Sequence, residues 1–155
     1  MADRASDPIV FYDGTCALCH GAVRFVLRHD PAGRFRFAAL QSDFARAALG
    51  RHGRVPSELD TMYLLLAADT PRERLLARSD AILATLRELG GAWKLLAVVR
   101  ALPRPLRDRA YAFVARHRYR WFGRYEQCPL PPPEVRERFI DGAVASPRGR
   151  SARQG

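Results

Sequence analysis

A short apolar run, Pro8-Ile-Val-Phe-Tyr12, is broken by Asp13-Gly14 and followed at once by Thr15-Cys-Ala-Leu-Cys19 at the head of a helical pattern. This junction restricts the fold more than any other part of the chain. β-branched and aromatic residues stopped by Asp-Gly read as a strand ending in a turn. Thr15 can then cap a helix whose first turn holds Cys16. From Ala17 to Arg28 the residues Leu18, Ala22, Phe25 and Val26 recur at helical spacing, and Pro31-Ala-Gly33 stops the segment. Arg34–Ala38 then alternates polar and apolar as a half-buried strand. A strand, a helix and a second strand in this order imply a crossover between parallel neighbours.

Beyond it, Ser42 begins a short helix to about Leu49. Thr61–Ala67 is a strand, Ala68-Asp-Thr-Pro71 a turn, and Glu73–Ala77 its hairpin partner. Ser79 is placed to cap Asp80–Leu89, which Gly90-Gly91 ends. Trp93–Leu102 reads as helical up to Pro103. Leu106–Phe122 reads as a longer amphipathic helix with Tyr111, Val114, Ala115 and Arg118 on neighbouring turns, and Val135–Ile140 as a short one. The predicted fold is therefore α/β: a thioredoxin-like mixed β-sheet flanked by helices, with extra C-terminal helices. Residues 1–7 read as a flexible N-terminus, 8–141 as one domain, and 142–155 as a disordered basic tail.

The chain is long enough to bury a core without staples. Its 26 basic residues against 16 acidic ones give a formal net charge of +10, and Lys94 is the only lysine. Such charge favours anionic partners at long range and says nothing about fold. Three cysteines, Cys16, Cys19 and Cys128, cannot build a disulfide framework. MADRASDPIV lacks the apolar stretch of a secretory signal, and the apolar runs around Met62–Ala68 and Leu95–Val99 fall short of the ~20 residues that span a bilayer. The expected location is the cytoplasm, where a close cysteine pair serves redox or metal chemistry more often than structure.

The position of the pair favours redox chemistry. A thiol in the first turn faces unpaired backbone N–H groups and the positive end of the helix dipole, which stabilise the thiolate. Cys19, three residues on, lies one turn away on the same face. The expected division of labour has a more exposed Cys16 attacking a substrate disulfide and a more buried Cys19 resolving the mixed disulfide. His20 can lie over the same face, where an imidazolium would lower the Cys16 pKa and an imidazole act as a base; the plain alternative is a solvated helical histidine. Asp13 either accepts a proton during exchange or serves as a turn residue satisfying local N–H groups.

The rivals lack parts. CALCH matches a haem-attachment pattern, but Met62, the sole internal methionine, sits in an apparent buried strand and no export signal is visible. Zinc needs a fuller ligand set than Cys16, Cys19 and His20 supply; Cys128 could complete it from the far end, but a second CxxC or an HxxxH is missing. FYDGT would need its phosphatase nucleophile at Phe11, and no CxxxxxR loop follows either cysteine. RHRYRWFGRY interleaves arginine with aromatic residues, yet on a helix Tyr119, Phe122 and Val114–Ala115 can pack inward while the arginine heads stay solvated. Nucleic acid is therefore not the expected partner, and the basic surface offers at most weak contact with anionic surfaces.

With these residues in place the chain resembles the DCC family of thiol–disulfide oxidoreductases, named for a DxxCxxC pattern that Asp13, Cys16 and Cys19 match. The resemblance continues through GRFRFAALQS, Ser79-Asp80-Ala81, LGGAWKLL, PRPLRDRAYAFVARHRYRWFG and Cys128 with its following prolines, from about Pro8 to Ile140. It implies a thioredoxin-like fold and dithiol activity. One departure stands out: thioredoxins place a cis-proline directly before the strand facing the dithiol, and here the nearest candidate, Pro56, precedes Thr61 by five residues. The expected function is exchange of a Cys16–Cys19 dithiol with a disulfide-containing protein or small molecule, fed by a thiol electron donor and using no cofactor or metal. The alternative is a non-catalytic zinc-binding or docking module with a basic surface.

Overall fold

A computed structural model describes residues 7–55, 61–125 and 131–140. Pro56, Cys128, the first six residues and the tail from residue 141 lie outside the described residues, and so do the expectations attached to them. The strands are β1 (Ile9–Tyr12), β2 (Arg36–Ala39), β3 (Tyr63–Leu66) and β4 (Arg74–Ala77). The helices are α1 (Ala17–His29), α2 (Asp43–Arg51), α3 (Arg78–Leu89) and α4 (Arg104–Phe122), with 3₁₀ segments at Gly91–Ala101 and Pro133–Arg138. The strands form one sheet in the order β2-β1-β3-β4. β1 runs parallel to β2, with Ile9 opposite Arg36, and antiparallel to β3, which pairs antiparallel with β4. This is the mixed, helix-flanked sheet of a thioredoxin-like fold.

Every residue of β1 is buried because both faces of the sheet are covered. Alternation divides the strand between two layers. Ile9 and Phe11 join Leu40, Leu65 and the α2 residues Ala45, Ala48 and Leu49 on one side. Val10 and Tyr12 face the other, with Phe37, Leu64, the α1 residues Val23 and Val26, and Ala81 of α3. α1 and α3 thus share a face, and α4 packs across both. The C-terminal segment closes the β2 edge, where Ile140 N–H donates to Phe37 O at 2.9 Å. Arg138 holds it there through the buried carboxylate of Asp30 and a 3.1 Å bond from Nε to Phe35 O.

Three local expectations are corrected. Thr15 does not cap α1: its hydroxyl donates to Asp13 Oδ1 at 2.8 Å, and Cys16 itself takes the cap position with extended backbone. Ser79 does not cap α3, because the chain enters that helix straight from β4 through Arg78 at φ 55°. The Ser79 hydroxyl bonds Asp108 Oδ1 of α4 at 2.5 Å instead. The helix expected over Trp93–Leu102 is instead the 3₁₀ segment Gly91–Ala101, which buries none of its residues. It is anchored by Trp93, whose ring meets Phe25 at 4.8 Å and His29 at 5.0 Å, while Leu95 and Val98 stand 76 % and 72 % exposed.

Candidate dithiol site

The end of β1 and the start of α1 bring Asp13, Cys16, Cys19 and His20 together, as their spacing requires. Cys16 Sγ accepts the Cys19 backbone N–H at 3.3 Å, so the sulfur does what a capping oxygen does elsewhere. The Cys19 thiol also donates to it. That hydrogen bond is the main reason the Cys16 pKa falls to about 6; burial opposes the shift, while the Cys19 amide and the Arg118 charge assist it. The same bond, with burial and the adjoining Cys16 charge, pushes the Cys19 thiol strongly upward. One sulfur is tuned as the thiolate and the other as its proton-bearing partner.

The exposure of the pair is the reverse of the expectation. Cys16 is 0 % exposed, whereas Cys19 is half-buried. The cause is the chain leaving α4. Gly123, at φ 86°, ends that helix and directs the backbone over the motif. Gly123 O accepts from Ala17 N at 3.4 Å and Tyr125 N donates to Thr15 O at 2.8 Å, forming an antiparallel bridge between Cys16 and Arg124. The strap Gly123–Tyr125 lies directly over Cys16.

Asp13 is more than a turn residue. Its carboxylate is buried and takes up to five bonds: Thr15 N at 2.9 Å, Thr15 Oγ1 at 2.8 Å and Gln41 Nε2 at 2.8 Å on Oδ1, with Arg118 at 3.2 Å and the Tyr119 hydroxyl on Oδ2. Burial opposes its ionisation, but these bonds outweigh the cost and hold its pKa below the ordinary carboxylate value. Gln41 also accepts from Gly14 N at 3.1 Å through Oε1, tying the turn to the end of β2. His20 donates from Nε2 to Gly14 O at 2.7 Å, and its ring stands edge-on between Tyr12 and Tyr125, 5.4 Å from each. It clamps the turn below it to the strap above it.

Arg118, Tyr119 and Gln41 were not marked as site residues by sequence. The arginine heads of α4 are not uniformly solvated: Arg118 is buried, while Phe122, expected inside, is 51 % exposed. The available signal was the stripe Tyr111–Ala115–Arg118, which places Arg118 on the inward face; only an acid fixed at a distant turn explains why a charge belongs there. Among the described residues no three His, Cys, Asp or Glu side chains gather as a metal site. No helix among them is long and apolar enough to cross a membrane.

The DCC1-like thiol-disulfide oxidoreductase family matches residues 10–124, from inside β1 to the strap. The chain belongs to that family. This DCC1-like protein is a thiol–disulfide oxidoreductase by family, and the match spans both cysteines and the buried ion pair beneath them. It is 32 % identical over 139 residues to the "Uncharacterized protein YuxK" of Bacillus subtilis, covering 90 % of this chain and 98 % of that one. It is 36 % identical over 124 residues to the "DCC family protein At1g52590, chloroplastic" of Arabidopsis thaliana, covering 79 % and 69 %. No solved structure matches it.

Proposed function

We propose that Cys16 and Cys19 are the redox couple, cycling between dithiol and disulfide by exchange with a disulfide substrate and a thiol donor. The observation that carries this reading is Cys16 Sγ at the helix cap, bonded by both the amide and the thiol of Cys19 beside Arg118. A structural cysteine has no use for a stabilised thiolate; an exchanging one does, as nucleophile or as leaving group. Asp13 is the floor of the site, fixing the turn and pinning Arg118 near the sulfurs. His20 is a positioning residue through Gly14 and the two tyrosines. A reducing cytoplasm suits a pair held as free thiols.

The test is exchange between glutathione and lipoamide, followed with wild-type protein and with Cys16→Ser and Cys19→Ser. Loss of catalysed exchange in both variants supports the couple. Full activity in either one removes it.

A further inference from the structure

The substrate's route to the sulfurs is written in the packing of α1, α3 and α4. Between them lies a half-open cavity of about 850 Å³ whose wall is almost wholly apolar, and Cys19 lines it while Cys16 does not. Leu18, Val23, Leu83 and Leu86 form much of the interior, and its outer rim includes the exposed side chains Ile82 and Leu106. That size lies within the range of small-molecule sites, roughly 300–1,000 Å³.

The backbone a peptide substrate would pair with, just before β3, is already taken. Met62 N–H donates to the Tyr111 hydroxyl at 2.7 Å, and Met62 O accepts from Arg78 N at 3.0 Å. The strap Gly123–Tyr125 closes the direct approach to Cys16. Among the described residues, the opening that reaches a sulfur is this apolar cavity, at Cys19.

We propose, resting on the dithiol reading above, that this cavity binds an apolar small-molecule thiol–disulfide couple whose sulfur is exchanged at Cys19 rather than at Cys16. In the oxidised protein a substrate thiolate attacks Cys19 Sγ. A substrate–Cys19 bond forms, the Cys16–Cys19 bond breaks, and the electron pair leaves with Cys16 as a thiolate under the strap. A second substrate thiolate, in the same molecule or another, attacks the substrate sulfur of the mixed disulfide. The substrate disulfide forms and Cys19 departs, taking up a proton. Two electrons pass from two substrate thiols to the cysteine pair; of the two protons lost, one goes to Cys19 and one to solvent. Run in reverse, the same steps reduce an apolar disulfide. The low pKa of Cys16 makes it the better leaving group, and its burial makes it the poorer target.

The experiment uses the full chain and two probes, dibutyl disulfide and glutathione disulfide. Single-cysteine variants, Cys16→Ser and Cys19→Ser each combined with Cys128→Ser, are exposed to each probe, and the mixed disulfides are counted by mass. The expected result is butylthiolation of Cys19 at least ten-fold faster than of Cys16, with the difference lost in urea. Butyl transfer to Cys19 should outpace glutathionylation at equal concentration. Ala22→Trp, a change at an exposed residue one turn from Cys19 on the cavity wall, should slow butyl transfer to Cys19 ten-fold or more. Should that variant misfold by circular dichroism, Ala110→Trp on the facing wall serves in its place. Faster reaction at Cys16, or equal rates for the two disulfides, overturns the proposal. If wild-type protein still cycles reversibly between dithiol and disulfide, the dithiol reading survives that failure; if it does not, both readings fall.

Discussion

Arg118 Nη2 lies 3.2 Å from Asp13 Oδ2, across 105 residues of chain, and both side chains are sealed from solvent. This pair ties the last turn of α4 to the end of β1, and so fixes the strap over Cys16. An arginine and an aspartate out of water are costly unless the remaining polar atoms are satisfied. Here Tyr119, Thr15 and Gln41 satisfy the carboxylate.

Breaking the pair should therefore act on stability and on chemistry together. Arg118→Met leaves an uncompensated buried carboxylate and should cost about 3–5 kcal/mol in urea unfolding. It should also raise the Cys16 pKa, since the nearby positive charge is gone. A variant with unchanged thiolate titration and near-normal stability would show that the pair is incidental.

Cys16 should titrate well below an ordinary thiol. Thiolate absorbance of the reduced protein should rise with a midpoint near pH 6, and Cys19→Ala, which removes the donating thiol, should move that midpoint upward. The linkage has a definite sign. A folded pKa of about 6 against an unperturbed 9.0 means that stability from this group is fully present above pH 9.0 and is lost as pH falls through 6. Urea midpoints of reduced protein should rise from pH 6 towards pH 9, and a flat profile would contradict the assignment.

His20→Ala should act through geometry. Its bond to Gly14 O and its two ring contacts join the turn to the strap. Losing them should cost about 1 kcal/mol and change the exchange rate, leaving the Cys16 thiolate midpoint where it was. A moved midpoint would return His20 to the electrostatic role that its sequence position suggests.

Tyr111→Phe isolates the backbone ahead of β3. The Met62 N–H loses its partner, at a cost of about 1–3 kcal/mol in urea unfolding if the donor stays buried. A neutral result would mean that water replaces the hydroxyl and that this edge is open to a peptide after all.

Much of this site was legible in the sequence because it is local. Ile9–Tyr12 alternates between two layers, Asp13-Gly14 turns the chain, and Cys16 and Cys19 are one helical turn apart; each follows from near-neighbour geometry. What was missed depends on partners far along the chain. Arg118 reads as one more surface arginine until Asp13 is placed beside it, and the burial of Cys16 depends on Gly123–Tyr125, which no spacing around the motif reveals. The capping error has a local origin instead: Asp13, two residues away, captures Thr15, so Cys16 takes the cap. The cavity was invisible for a further reason, since apolar spacing on α1, α3 and α4 shows which faces turn inward but not whether they meet.

The central claim is that Cys16 and Cys19 exchange electrons as a pair. The most direct test is a redox titration of the purified protein against glutathione, counting alkylated cysteines by mass. The account predicts one reversible two-electron transition confined to Cys16 and Cys19, toward the oxidising end of the range of about −180 to −270 mV spanned by many exchange proteins, because the reduced state holds a stabilised thiolate. Two thiols that stay alkylatable at every potential, or that never pair with each other, would contradict it.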